Sequence, residues 1–453
     1  MEKIEDIEDQ TYQITPQNMQ ESYKIEIKLE EKTQNELVAY LYCQSYISFL
    51  RALETLFQLI DKNNSISDVP LLIEDEPSYK WRGIMLDTTR HFLSVENILK
   101  QIEALQVNKM NVLHIHFTDS ESFPVQIPEI PELSEYGAYS QDQVYTQYDI
   151  AKIEKACKES GISLIPEFDT PAHTRSWANS PKYSDTNACS DYPPQDWELY
   201  CAEPPCGALD PTIENTWELI KGVSQYMQQY FSNKNMHMGG DEIFEKCWEH
   251  RPEIKQWMDL NGIKNYKELE MYFREKQASY FQDKNLIYWL NGASGDVKFR
   301  ENDLIQYWDE QSTYDMLKKF DNEVILSTYD YLYLDCGQGD QQGWDSWCDP
   351  YKTWKHIYQF DPKAADIGDR VIGAEACLWA EIISNDNLDN RAWPRVTSLA
   401  LRLWNVEENL NSRQLVEKLV NMNKILKESY DMKPSPITTQ YCEKNLDMCF
   451  FEN

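Results

Sequence analysis

From Trp81 onward the chain alternates short apolar runs with stretches of helical periodicity, and eight such runs occur. They fall at residues 83–87, 111–117, 162–168, 237–240, 286–290, 304–308, 324–327 and 371–374; helical patterns at 95–108, 149–160 and 217–231 separate the first four. Strands joined by helical crossovers run parallel, and eight of them predict a (β/α)8 TIM barrel. A doubly wound open sheet is the competing arrangement, but no Gly-x-Gly-x-x-Gly follows the first strand. Ahead of the barrel, residues 23–29 alternate apolar and charged side chains like a half-buried strand, and 38–42 can pair with them. Tyr46, Phe49, Leu50, Leu53, Leu56, Phe57 and Ile60 then recur at helical spacing, up to a turn cluster at 61–65. The expected division is a small, truncated α+β domain over 1–78 and an α/β barrel with a C-terminal helical segment over 79–453.

In a barrel of this kind the polar residues at the C-terminal strand ends face the site. Here those ends read Asp87-Thr-Thr-Arg90, His114-x-His116-x-x-Asp119, Glu167-Phe-Asp169, Asp241-Glu242, Trp289, Trp308, Asp330 and Glu375-x-x-x-Trp379-x-Glu381. The set is carboxylates plus indoles, with neither a nucleophile elbow nor a phosphate loop. Carboxylates beside aromatic platforms suit glycosidic-bond cleavage: one acid protonates the leaving oxygen, a second group stabilises the cationic carbon, and indole faces stack on the sugar. Gly239 and Gly240 permit close approach ahead of Asp241 and Glu242. A plainer reading has these two acids merely opening the next helix, where the macrodipole favours them. His114-x-His116 raises a metal alternative, with His173, His237 or Asp241 as further ligands. Alternate residues of a strand share one face, however, so both rings can equally belong to a polar layer. A formal charge of −33 excludes nucleic acid and anionic membrane surfaces as partners, because both are held by basic groups.

No apolar run of about 18 residues is present, so membrane insertion is not expected. The acidic N-terminus lacks the apolar core of a signal peptide, yet the 11 cysteines lie mostly in loop-like stretches. None forms the double Cys-x-x-Cys of a zinc site, so disulfides and a secretory compartment are expected. The odd count leaves a free thiol, and Cys43, Cys157 and Cys377, in apolar or helical contexts, suit that role. The sequon Asn63-Asn-Ser65 fits a secreted glycoprotein loop. A leader missing from this chain reconciles these signals.

Five long motifs, in order, resemble the β-N-acetylhexosaminidases of glycoside hydrolase family 20. They are Lys80-Trp-Arg-Gly-Ile-Met-Leu-Asp-Thr-Thr-Arg-His91, Asn108-Lys-Met-Asn-Val-Leu-His-Ile-His116, Glu167-Phe-Asp-Thr-Pro-Ala-His173, His237-Met-Gly-Gly-Asp-Glu242 and Gly373-Ala-Glu-Ala-Cys-Leu-Trp-Ala-Glu381. The resemblance implies exo-acting, retaining removal of terminal β-linked N-acetylglucosamine or N-acetylgalactosamine. The substrate's own acetamido oxygen attacks C1 to give an oxazolinium intermediate, and no cofactor or metal takes part. It implies Glu242 as general acid and then base, Asp241 orienting the acetamido N–H, and Tyr333 donating to the acetamido oxygen. As binding groups it implies Arg82, Asp335 and Glu381 on the hydroxyls, with Trp289, Trp308 and Trp379 as indole walls. Asp119 and His173 would support the proton cycle of Glu242.

Tyr331-Leu-Tyr-Leu-Asp-Cys-Gly, with Trp344-Asp-Ser-Trp-Cys348, is similar to the invertebrate and plant-type branch. This implies a Cys336–Cys348 bridge, Trp347 as a second stacking surface, and chito-oligosaccharide or N-glycan substrates. Cys206–Cys247 is the expected barrel-loop bridge, which leaves Cys189 to pair with Cys201; the C-terminal pair Cys442–Cys449 spans a shorter loop than the family's usual bridge. Family members are often homodimers, and a lysosomal or secreted location follows. A catalytically silent sugar-binding protein on the same barrel is the alternative function.

Overall fold

The computed structural model describes residues 15–30, 36–60, 65–294, 297–339 and 346–450, so Asn63 of the sequon and Trp344 lie outside the described residues. In the small N-terminal unit, β1 (Tyr23–Glu30) pairs antiparallel with β2 (Glu36–Cys43) on one side and β3 (Leu71–Asp75) on the other. Buried Tyr23, Ile25 and Ile27 alternate with half-buried Lys24, Glu26 and Lys28, and the apolar face packs on Ala52 and Leu56 of the helix Tyr46–Leu59. That helix starts at Ser45, whose side chain accepts the Ser48 amide. β3 went undetected in the sequence because Leu71-Leu-Ile is too short a run to carry a period.

Eight parallel strands follow: β4 (Trp81–Asp87), β5 (Val112–His116), β6 (Ser163–Glu167), β7 (Asn235–His237), β8 (Asn285–Leu290), β9 (Leu304–Tyr307), β10 (Val324–Leu326) and β11 (Val371–Leu378). β11 pairs with β4, which closes the barrel. Each run anticipated in the sequence supplies one strand. Every residue of β4, β5, β6 and β11 is buried, as required of strands covered by helices outside and by side chains inside. The covering helices Val95–Val107 and Gln147–Glu159 are amphipathic and capped. Val95–Val107 begins at Ser94 and buries Ile98, Ile102 and Leu105, and Gln147–Glu159 begins with a Thr146/Asp149 capping box.

Inside the barrel, Trp81, Val112, Ile165, Ile287, Leu304, Ile325 and Ile372 form an apolar floor. Two residues further along, on the same inward face, come His114, Glu167, Trp289 and Gln306, joined by Glu375, and all are buried. An apolar layer thus carries a polar one, which must satisfy its own hydrogen bonds.

The two units are joined by buried ions at the N-terminal end of the barrel. Glu21 accepts from Arg51 Nε at 2.9 Å, Arg82 Nη2 at 2.6 Å and Asn111 Nδ2 at 3.2 Å. Arg82 also donates to the carbonyls of Tyr79 and Lys109. It stands at the second position of β4, so its guanidinium is committed to this junction. The role of sugar-gripping arginine therefore does not belong to Arg82.

Four disulfides form: Cys189–Cys247, Cys201–Cys206, Cys336–Cys348 and Cys442–Cys449, while Cys43, Cys157 and Cys377 are free. The expected Cys206–Cys247 and Cys189–Cys201 pairs are thus exchanged for Cys189–Cys247 and Cys201–Cys206. Four cysteines allow three connectivities that spacing cannot rank. The folded loop decides it, with Cα separations of 5.0 Å and 5.2 Å that both lie in the bridging range.

Candidate active site

Beyond β7, Gly239 and Gly240 carry φ of +64° and +93° and lead into Asp241 and Glu242. A Cβ on Gly239 would stand 1.6 Å from Asp169 Oδ1, so only glycine fits there. Asp169 also accepts the Gly240 amide at 2.9 Å, fixing the turn. The next helix begins only at Glu245, which sets aside the helix-opening reading of the acid pair. Glu242 (φ +50°) and His173 (φ +57°) both occupy the left-handed region. For such residues this strain costs about 1–3 kcal/mol each and persists only where the surroundings impose it. The two strained residues meet. His173 Nε2 lies 3.3 Å from Glu242 Oε2, and His173 Nδ1 lies 3.0 Å from Asp119 Oδ1.

Asp241, Glu242 and His173 open into a cavity of about 290 Å³, lined also by Arg90, Trp197, Glu203, Trp308, Tyr333, Asp335, Trp347, Trp379 and Glu381. The size sits at the small end of ligand pockets, roughly 300–1,000 Å³, as befits one sugar ring. Asp241 Oδ1, Asp335 Oδ1 and Glu381 Oε2 are buried oxygens with no hydrogen-bonding partner among the described residues, as is the Trp308 indole nitrogen. Buried polar atoms left open in this way call for a ligand's donors and acceptors. Burial raises Asp241, His173 opposes this, and the Glu242 charge adds to the rise, leaving Asp241 at about 6. Burial likewise lifts Asp335 to about 7 against backbone hydrogen bonds and Arg395. The Tyr333 phenol is pushed well up by burial and so stays a donor. Trp347 stands 59% exposed at the mouth, its ring edge-on to Trp308 and Tyr333.

Arg90, three residues past β4, is the arginine of this cavity. It pairs with Asp119 at 2.7 Å, with Asp87 and Glu121 at 3.4 Å and with Glu203 at 3.6 Å, and its guanidinium lies 5.2 Å from the Trp379 ring. The strand-end rule had marked it within Asp87-Thr-Thr-Arg90; the resemblance chose the wrong arginine of the same motif. Trp289 also departs from expectation. It is buried behind the wall, donating to Glu167 at 2.6 Å and packing 6.0 Å from Trp379. Trp197 and Glu203 were missed altogether. They come from the long loop pinned by the Cys189–Cys247 and Cys201–Cys206 bridges, which has no periodicity to read. Asp330 does not line the cavity.

The paired histidines of β5 are bound to carboxylates. His114 Nδ1 lies 2.7 Å from Glu375, and His116 lies 2.7 Å from Glu167 on one side and 2.7 Å from Asp119 on the other. Burial disfavours the His116 cation, but Glu167 and Asp119 outweigh it and hold the ring's pKa well above the usual histidine value. Both rings thus take carboxylate partners within the polar layer of the barrel.

An acid held by a histidine, a second, half-buried acid beside it and a cup of indoles at the C-terminal mouth of a TIM barrel define a glycoside hydrolase. Residues 79–407 match the glycosyl hydrolase family 20 catalytic domain. The chain is 33% identical to a chitooligosaccharidolytic beta-N-acetylglucosaminidase of Bombyx mori, covering 96% of this chain and 75% of that one. It is 32% identical to the beta-hexosaminidase subunit beta of Homo sapiens, covering 86% and 67%. Among solved structures, the chitobiase of Flavobacterium johnsoniae superposes with a TM-score of 0.76 at 26% identity, over 91% of this chain and 60% of that one. The chain belongs to glycosyl hydrolase family 20, the exo-acting, retaining β-N-acetylhexosaminidases.

Proposed function

We propose that this enzyme removes terminal β-linked N-acetylglucosamine from chito-oligosaccharides and N-glycan ends by substrate-assisted catalysis. The observation that carries this reading is the 3.3 Å contact of His173 with Glu242, beside Asp241 and Tyr333 in one sugar-sized cavity. Glu242 protonates the leaving oxygen as the substrate's acetamido oxygen attacks C1. Asp241 accepts the acetamido N–H and stabilises the positive charge of the oxazolinium, and Tyr333 donates to the attacking oxygen. Glu242 then takes a proton from water as it opens the ring. Arg90, Asp335 and Glu381 bind the outer hydroxyls, and Trp308 and Trp379 enclose the sugar. Four disulfides favour a lysosomal or secreted location, where such bonds persist.

Turnover of an aryl β-N-acetylglucosaminide tests the reading against a silent sugar-binding protein; no release between pH 4 and 7 would sink it. Because Asp241 must be ionised to hold the developing charge, kcat/KM is expected to fall as pH drops through about 6. A profile flat across that value removes Asp241 from the role. Trp347→Ala is expected to raise KM for chitobiose by roughly tenfold, since covering about 50 Å² of apolar surface contributes about 1.3 kcal/mol. The aryl substrate, which lacks a second sugar, should change far less. Equal losses on both would place Trp347 on the first sugar instead.

A further inference from the structure

The Asp119–His173–Glu242 contacts do not end at Asp119. Asp119 Oδ2 accepts from His116 Nε2, and His116 Nδ1 in turn donates to Glu167 Oε2, each at 2.7 Å. A ring between two ionised carboxylates is a donor at both nitrogens, hence an imidazolium. Glu167⁻ and His116⁺ therefore form a buried ion pair whose positive end points at Asp119. Glu167 touches no cavity surface. Its other oxygen accepts the Trp289 indole at 2.6 Å, and His114 Nε2 stands 3.0 Å from its Oε2.

The surrounding charges leave this pair as the connection to the acid. His237 Nδ1, 3.1 Å from Glu167, accepts the Gly239 amide and so brings no proton. His114 is tied on its far side to Glu375. Asp169 and Asp241 lie at neighbouring strand ends. Arg90 also reaches Asp119 Oδ2, the oxygen that His116 approaches, and itself pairs with Asp87, Glu121 and Glu203. Asp119 is fully engaged, by Arg90, His116, the Ser120 amide and His173 Nδ1. One proton is then shared between His173 Nε2 and Glu242.

We infer that Glu167 is a positioning residue for proton delivery: through His116 and Asp119 it sets how that shared proton divides between His173 and Glu242. This rests on Glu242 being the acid. With Glu167 ionised, the positive end at His116 partly neutralises Asp119, His173 is a weaker base, and the proton stays on Glu242, where the leaving group needs it.

Glu167→Gln preserves shape and removes the charge; its amide oxygen can still accept the Trp289 indole, while its NH2 group faces His116 Nδ1. His116, buried and left with Asp119 alone, then releases its second proton. The His173–Glu242 pair loses a nearby positive charge and holds its own proton more tightly, so the alkaline limb of kcat moves to higher pH. At the same time the proton sits nearer His173, so the plateau falls. The expected result is a kcat about tenfold lower, a limb raised by about half a pH unit or more and a KM within about twofold. His116→Gln removes the same positive end and should move the limb in the same direction. The double variant should move it no further. Trp289→Phe breaks the other Glu167 hydrogen bond and should leave the limb in place, which separates electrostatic positioning from support of the wall.

Thermal unfolding checks that each variant is folded; should Glu167→Gln not fold, His116→Gln carries the test. A limb unmoved or lowered in the folded variants, or shifts that add in the double variant, overturn the inference. If Glu242→Gln turns over at the wild-type rate, the acid reading itself has failed. If it is inactive while the Glu167 and His116 variants keep the wild-type limb, only this inference has.

Discussion

Glu242→Gln is expected to lower kcat by roughly 100- to 10,000-fold, the usual range for removing a positioned proton donor, with little change in KM. The amide preserves the size of the side chain and its contact with His173, but it can neither give a proton to the leaving oxygen nor take one from water. The loss should depend on the leaving group. An activated aryl group departs with little protonation, so its loss should lie near the lower end of the range. Chitobiose, whose leaving group is a sugar hydroxyl, should suffer the larger one. Rates near wild type on chitobiose would show that the proton comes from elsewhere in the cavity.

Glu21→Ala is expected to have the largest effect on stability, about 3–5 kcal/mol by denaturant unfolding, the cost of breaking a buried ion pair from one side. Its carboxylate is buried with Arg51 and Arg82, and removing it leaves two guanidinium ions facing each other without an anion. Arg51 cannot turn away to water, because it also donates to the carbonyls of Met110 and Gly161 at 3.0 Å. Burial alone would raise the Glu21 pKa, but Arg82 and Arg51 outweigh it and hold it below the ordinary value of 4.5. The contribution is therefore complete above that value and drains away only as pH falls through the depressed folded pKa. Lys24→Ala, at the exposed Lys24–Glu74 pair, should leave the unfolding midpoint where it was. Folded Glu21→Ala protein should keep its kcat, since the junction lies at the end of the barrel opposite the cavity. A midpoint within error of wild type would mean that the two arginines find other partners.

Much of this site was legible because barrel chemistry sits at one end of each strand. Once eight runs were recognised, their C-terminal ends collected Arg90, His116, Asp119, Glu167, Asp241, Trp308, Trp379 and Glu381 without any knowledge of contacts. Asp330 was collected by the same rule and stays outside the cavity. Tyr333 and Asp335 came from resemblance alone. They lie past the short helix Tyr329–Leu332, in a segment whose course no periodicity predicts. Trp197 and Glu203 had neither signal, because a loop held by disulfides takes its path from bridges that spacing leaves ambiguous.

By itself the sequence determined the architecture and the chemistry: the repeated change of period requires parallel strands under helices, and Gly239-Gly-Asp-Glu242 places two acids where one barrel strand ends. Only the tertiary structure decided which groups stand at which end. Arg82 and Arg90 share one motif, yet at about 3.3 Å per residue β4 carries them to opposite faces of the barrel. One arginine joins the two domains and the other enters the cavity. Disulfide partners were settled by the folded loops, and the Glu167–His116–Asp119–His173–Glu242 chain by closure of the barrel. Distances across its axis depend on how all eight strands register, and no local pattern encodes them.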